Sequence, residues 1–279
     1  MKQNLKFESP TFVQRLKGML SVDFYRLFHT PLFYIFLGIA AIIPALVLMG
    51  FSTTDPITGQ ITGFELENLW IMIAANEPLY VVSDIAEYAN MNMVFIFGGI
   101  MVSIFIGHDY KSGYVKQLFT THAKKQDYMM SKTITCAFAM ACMCLTYLFG
   151  TIISGLLLQV PFAVNAGSLI IAIVSKIIMS LGWASLYTFL NIIFRRYFGI
   201  SIASSFFFGT GILIIGAAAI IESLSLDQTI LSIFLYGSSV SACLSSNIGT
   251  LFMCIVMSCG WTLIYNVLGT HILNKSDVY

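Results

Sequence analysis

The segment 108–132 concentrates charged and aromatic side chains within an otherwise apolar chain. Asp109 stands near its start and five lysines follow: Lys111, Lys116, Lys124, Lys125 and Lys132. Inside the segment, Tyr114, Val115, Leu118 and Phe119 follow the i, i+1, i+4, i+5 spacing of one helix face. An apolar helix face among lysines suits docking into a groove on a soluble partner. It equally suits binding to anionic lipid, and both interpretations stay open at this point.

Catalytic motifs are missing from the sequence. It contains no G-x-x-x-x-G-K-[ST] loop for ATP, no H-E-x-x-H zinc motif and no G-x-S-x-G nucleophile elbow. The four histidines are predicted to lie in solvated positions near one membrane surface, and the six cysteines lack metal-ligand spacing. We therefore predict no catalytic residue, no metal site and no cofactor on this chain.

The amino-acid composition indicates what kind of structure surrounds the segment 108–132. Of the 279 residues, 58% are hydrophobic and 10% are charged, whereas soluble domains carry about 25% charged residues. The mean hydropathy is +0.86. These values predict an all-α integral membrane protein, with 1–279 forming a single transmembrane domain. A net charge of +1 excludes the electrostatic footprint of a nucleic-acid-binding protein.

Six apolar runs are long enough to cross a bilayer, whose core of about 30 Å needs roughly 20 residues of helix. The predicted spans are 32–51, 90–107, 133–158, 168–194, 200–221 and 249–270. The first run is too long for the core of a cleaved signal peptide, the competing interpretation. Lys176 is the only ionisable residue inside a span, and we expect it to snorkel toward the outer surface.

Charge predicts the orientation of these spans. With six crossings, all 14 basic residues except Lys176 fall on one side, in 1–31, 108–132, 195–196 and 271–279. The opposite segment 52–89 has six acidic residues and neither Lys nor Arg. Because basic loops stay in the cytoplasm, both termini are predicted to be cytoplasmic in a multi-pass plasma-membrane protein.

Three segments outside the spans have their own predicted structure. Residues 11–28 form an amphipathic helix with Arg15 and Arg26 on its polar side, expected to lie in the membrane plane or else to be a solvated tail. Asp23 falls near the apolar side of this helix, which makes the pattern imperfect. Segment 52–89 is predicted to be an outer cap, and 222–248 a pair of short re-entrant or interfacial helices.

Small and aromatic residues mark the fifth predicted span. Ser201, Ser205 and Gly209 recur every four residues, a spacing that favours close helix packing within the subunit or at a subunit interface. A possible substrate path, or alternatively a lipid-facing surface, is formed by Ser204, Phe206, Phe207 and Phe208.

The segment 108–132 also resembles the cytoplasmic loop of ABC-2 type transporter permeases. In that family an acidic residue and a glycine open the loop, a G-x-x-K/R-x-L run follows, and R/K-x-x-Y-x-x-S-K leads into the third span. The matching residues are Asp109, Gly113, Lys116, Leu118, Lys125, Tyr128, Ser131 and Lys132. The run Asp23-Phe24-Tyr25-Arg26 is similar to the helix that precedes the family's first span. The likeness is strongest to small bacterial permeases that export peptide antibiotics or provide self-immunity.

The resemblance implies a permease subunit of an ATP-driven exporter in a bacterial cell membrane. Its partners would be separate cytoplasmic ATPase subunits, which carry ATP and Mg, a second identical or homologous permease, and membrane lipid. The loop would hold a coupling helix that docks on the ATPase. The residues implied in docking are Asp109, Gly113, Tyr114, Val115, Lys116, Leu118, Phe119, Lys125 and Tyr128. The substrate would be amphipathic, such as a peptide or a lipid-like compound.

Two other functions remain possible from the sequence. An ion-coupled secondary carrier should show internal repeats or charged residues buried in broken helices, and neither is evident. A non-transport scaffold or immunity protein would use the acidic outer segment 52–89 to bind a toxin.

Overall fold

The chain is helical throughout the residues that the structure, a computed structural model, describes: 11–51, 85–120, 123–157, 166–225, 228–244 and 248–275. Within these ranges, four helices are long and apolar enough to cross a membrane, and the number rises to six if each of two bent helix pairs counts as one span. The prediction of an all-α chain with several candidate spans is thereby confirmed. Of the outer cap predicted at 52–89, residues 52–84 lie outside the described residues.

Helices α1 (Phe12–His29) and α2 (Pro31–Phe51) meet at a bend of 64°. Thr11 begins α1 with a capping box, in which its hydroxyl accepts from the Gln14 amide at 3.4 Å and the Gln14 side chain accepts from the Thr11 amide at 2.9 Å. Pro31 opens α2, a position where its missing N–H is not needed. The chain therefore changes direction between the helix predicted at 11–28 and the span predicted from position 32.

Helices α3 (Ile85–Lys111), α4 (Tyr114–Thr120) and α5 (Lys125–Leu157) include the second and third predicted spans. Gly113 separates α3 from α4 with a φ of +74°, a left-handed conformation that residues with a Cβ adopt at a cost. Helix α5 begins at Lys125, well before the span predicted from position 133. Most of the segment 108–132 is thus helical rather than loop.

The fifth predicted span is broken in two. Helix α6 (Ala166–Ile193) precedes it, and the span itself consists of α7 (Phe198–Gly209) and α8 (Ile212–Ser223), which meet at 51°. Gly211 lies at the break with a φ of +71°, and the ring of Tyr236 occupies the space that a Cβ at this position would need. A glycine is required there on both counts.

Two short elements precede the last long helix. They are a 3₁₀ helix (Gln228–Ile233) and α9 (Leu235–Leu244), and α10 (Ile248–Lys275) follows them. The indole N–H of Trp183 on α6 donates to the hydroxyl of Ser239 on α9 at 2.7 Å. Both short elements lie within 222–248, where the sequence predicts a pair of re-entrant or interfacial helices, and their placement relative to a membrane stays a prediction.

Helix α6 lies at the centre of the bundle, against α3, α5 and α10. Its buried Trp183 stacks on Phe95 of α3 and on Tyr187 of its own helix, with ring centroids 5.4 Å apart in each pair. Elsewhere in the core, α5 approaches α2 so closely at Gly150 that a Cβ there would overlap the Ala41 carbonyl. These contacts hold α3 and α5 in the bundle, and the ends of these two helices belong to the charged segment 108–132.

Candidate functional site: an ion cluster joining three long helices

Four charged side chains form one buried ion cluster, defined as Asp23, Arg26, Asp109 and Lys132. The Lys132 ammonium lies 2.6 Å from Asp23 Oδ1 and 2.6 Å from Asp109 Oδ2. Arg26 pairs with the other oxygen of Asp109. The Ser131 hydroxyl donates to Asp23 Oδ2 at 2.6 Å. Since α1 supplies Asp23 and Arg26, α3 supplies Asp109 and α5 supplies Lys132, the cluster joins three helices that are distant in sequence.

The cluster is neutral, and its side chains are shielded except for that of Arg26, which is 24% exposed. The side chains of Lys132 and Asp109 are 0% exposed and that of Asp23 is 3% exposed. Two carboxylates offset two cations, which is the condition under which buried charges are tolerated. Removing one member of a buried pair typically destabilises a protein by about 3–5 kcal/mol because the other charge is left uncompensated. The cluster therefore makes the relative position of α1, α3 and α5 specific.

Aromatic rings surround the cations of the cluster. The Arg26 guanidinium lies 4.3 Å from the ring centroid of Tyr114 on α4. The Lys132 ammonium lies 4.8 Å from the ring centroid of Phe105 and 5.6 Å from that of Tyr114. Burial and the carboxylate of Asp23 raise the pKa of Tyr114, so its phenol stays neutral at physiological pH. Tyr114 connects α4 to the ion cluster through these cation–π contacts.

The apolar face of α4 packs against the chain itself. Val115 is 1% exposed and lies in a cluster with Tyr128, Met129 and Leu273. The ring of Phe119 meets that of Tyr128 edge to face at 5.6 Å. The family resemblance implied that this face would dock on a partner. In this structure Val115 is buried against α5 and α10, while Leu118 and Phe119 are half-buried, and docking stays a prediction. The face of α4 that remains exposed carries Lys116, Gln117 and Thr120.

Two further contacts hold the start of α5. The Arg15 guanidinium of α1 pairs with Asp127 at 2.7 Å. The Lys125 ammonium donates to the backbone carbonyl of Leu273 on α10 at 2.6 Å. Of the residues predicted for the interfacial helix, Arg15, Asp23 and Arg26 all contact α3 or α5. Lys125, predicted to dock a partner, bonds within its own chain.

The small residues of the fifth span lie inside the bundle. Ser201, Ser205 and Gly209 are buried. The hydroxyls of Ser205 and Ser103 are 2.8 Å apart, and the Asn191 amide donates to Ser103 at 3.1 Å. Ser201 in turn donates to Asn191. This hydrogen-bond network joins α3, α6 and α7. The spacing of Ser201 and Ser205 had indicated close packing here, whereas Asn191 was not singled out from the sequence.

The residues of the predicted substrate path separate into two groups. Phe206 and Phe207 are 50% and 41% exposed on the outer surface of α7, while Phe208 packs partly against the core. Ser204 is half-buried and donates to the Ser201 carbonyl at 2.9 Å. They therefore do not line one common surface within this chain.

No protein-family model matches this chain, and no curated protein matches it significantly. The arrangement of the ion cluster, α4 and the candidate spans therefore carries the functional interpretation.

Proposed function

We propose that this chain is the membrane-spanning permease subunit of an ATP-driven exporter of the ABC-2 type. The observation that carries the proposal is the position of α4. This short helix has an exposed face that carries Lys116, and Tyr114 connects it to an ion cluster between α1, α3 and α5. If a soluble partner displaces such a helix, the displacement would shift the several helices that it contacts.

In this proposal the chain crosses the membrane six times. The spans are α2, α3, α5, α6, the bent pair α7 and α8, and α10, with α1 lying at the cytoplasmic surface. The basic segments, including α4, face the cytoplasm of a bacterial cell. The absence of a nucleotide-binding motif from the sequence supports an energy source on a separate subunit, which would hold ATP and Mg.

Coupling would follow from the contacts of α4. ATP binding closes the partner ATPase pair and displaces the exposed face of α4. Because Val115 is packed between α5 and α10 and Tyr114 covers Arg26, that displacement moves the ends of α1, α3 and α5 with it. The ATP-bound partner must contact α4 differently from the nucleotide-free partner, since only differential contacts shift a conformational equilibrium.

A second permease subunit, identical or homologous, would complete the pathway. The substrate in this proposal is amphipathic, a peptide or a lipid-like compound. Support comes from the exposed aromatic surface of α7, formed by Phe206 and Phe207, which offers apolar contact and no charge.

Co-purification tests the proposal. The chain is expressed with the ATPase from a neighbouring reading frame, and the complex is purified and assayed for ATP hydrolysis in lipid. We expect Lys116→Glu, on the exposed face of α4, to reduce the ATPase retained. Lys17→Glu makes the same charge change at an exposed position of α1 and should retain it. Failure of the wild-type chain to retain any P-loop protein would contradict the proposal.

A further inference from the structure

A groove between α5 and α10 opens on the outer surface of the bundle. Its volume is about 590 Å³, and Leu181 of α6 contributes to its lining. Ligand sites in proteins typically have volumes of about 300–1,000 Å³. Helix α10 is otherwise poorly covered, since 11% of its apolar span is buried. The groove is therefore large enough for a ligand and accessible from the membrane.

One wall of the groove is polar, although its surroundings are apolar. The polar lining residues are Gln126, Thr133, Thr262, Asn266 and Thr270. The Thr133 hydroxyl donates to Asn266 Oδ1 at 3.2 Å. The buried hydroxyl of Thr262 has no hydrogen-bond partner among the described residues. Among the other polar lining residues, Gln126 is exposed and Asn266 and Thr270 are half-buried. Polar groups that face hydrocarbon without a partner are unfavourable, so this wall favours an occupant with hydrogen-bonding atoms.

One end of the groove, its mouth, lies close to basic residues of α5 and α10, and the groove extends away from them along the two helices. Gln126 and Thr270 line it near the ends of α5 and α10, while Ile134 and Thr262 lie about 12 Å further along the helices at 1.5 Å per residue. At the mouth, Lys125 bridges α5 to the Leu273 carbonyl. Exposed Lys124 and His271 are close in sequence to the lining residues Gln126 and Thr270. A ligand seated here would place a negative group at the mouth.

None of the carboxylates whose side chains the structure describes can supply the negative charge that the basic residues at the mouth would attract. Asp23, Asp109 and Asp127 are each buried and ion-paired. Helix α10 contains neither Asp nor Glu. If a second copy of this chain filled the groove with its described surface, the mouth would therefore still lack an anionic partner. A lipid phosphate supplies one, together with ester carbonyls that accept hydrogen bonds.

We propose that the α5–α10 groove binds a single phospholipid from the membrane leaflet on the basic side. Its phosphate lies at the mouth near Lys124, Lys125 and His271. Its ester carbonyls accept from the hydroxyl and amide groups of the polar wall, and one acyl chain lies against Ile134, Leu181 and Leu263. This site requires α5 and α10 to cross a membrane and is independent of any partner ATPase.

Native mass spectrometry of the purified full chain tests the site. The chain is supplied with phosphatidylglycerol in mild detergent and then washed. We expect the wild type to retain one phospholipid. Leu263→Trp, which fills the groove, and Asn266→Leu, which removes its polar wall, should lose that lipid. Leu268→Trp is the control, because Leu268 is 44% exposed on the same helix outside the groove lining.

Three results would overturn the proposal. The first is equal lipid retention by the wild type and Leu263→Trp, with unchanged thermal stability showing that the variant is folded. The second is a wild-type dimer that Leu263→Trp converts to monomer without loss of lipid, because a second copy would then fill the groove. The third is retention of an amphiphile other than a phospholipid. None of these depends on whether an ATPase co-purifies.

Discussion

Lys132 and Asp23, 109 positions apart in the sequence, form an ion pair in which Nζ and Oδ1 are separated by 2.6 Å. The same ammonium contacts Asp109, so one lysine joins α1, α3 and α5. Because all three side chains are buried, water can replace these ion-pair contacts only if the helices separate. The position of α1 against the bundle therefore depends on charge as well as on apolar packing.

Lys132→Met should destabilise the chain strongly. The substitution leaves Asp23 and Asp109 buried with the shared cation removed, a change expected to cost about 3–5 kcal/mol. The measurement is the free energy of unfolding in mixed micelles titrated with a denaturing detergent. Lys17→Met, at an exposed position of α1, is the matched control and should change stability little. Equal stability of the two variants would contradict the structural importance of the cluster.

The ring of Tyr114 should matter more than its hydroxyl. Tyr114→Phe keeps an aromatic face 4.3 Å from the Arg26 guanidinium, whereas Tyr114→Leu removes it. We expect the Leu variant to lose about 0.5–2 kcal/mol relative to the Phe variant, the range for cation–π contacts. Thermal unfolding of both variants in the same detergent measures the difference. An unchanged Leu variant would show that α4 is held by Val115 and Phe119 alone.

Gly113 should resist substitution because of its backbone conformation. A Cβ there meets no atom within 4 Å, so the cost of Gly113→Ala arises from its φ of +74° and is about 1 kcal/mol. Gly18→Ala, in the interior of α1 with equally open space, should be neutral or stabilising. Comparing the unfolding temperatures of the two variants separates backbone strain from packing. A stabilising Gly113→Ala would contradict the left-handed turn between α3 and α4.

Gly150→Ala should disturb the contact between α2 and α5. The added methyl would overlap the Ala41 carbonyl, which is backbone and can move only with its helix. Overpacking of this kind costs about 1–3 kcal/mol. Gly38→Ala, on α2 with open space around it, is the control. Similar unfolding free energies for the two variants would mean that α2 and α5 approach less closely than the structure shows.

The length of apolar runs predicted the long helices well, because run length can be read from the local sequence alone. The predicted spans at 32–51 and 249–270 correspond to α2 (Pro31–Phe51) and α10 (Ile248–Lys275). The start of α5 was missed because Asp127 and Lys132 look like loop residues when their partners are unknown. The break at Gly211 was missed because the residues on both sides carry no charge and form one continuous run that is long enough to cross a bilayer.

The candidate site was only partly predictable. Motif resemblance selected Asp23, Arg26, Asp109 and Lys132 one by one, but the distances in sequence between them conceal their contacts. One local signal pointed to the cluster: Asp23 falls near the apolar side of an otherwise amphipathic α1, where a charge needs a buried partner. Contacts with α5 and α10 determine where the apolar face of α4 points. The sequence of the short helix alone carries no information about these contacts.

Photo-crosslinking from Gln117 tests the central claim most directly. Gln117 is exposed on α4, and a photoreactive amino acid placed there should crosslink in living cells to a P-loop ATPase. The same group at Val13, 70% exposed on α1, is the control for nonspecific capture and should not give that product. If position 117 crosslinks to no ATPase, and a cysteine there is labelled by a membrane-impermeant reagent added outside intact cells, the account is contradicted.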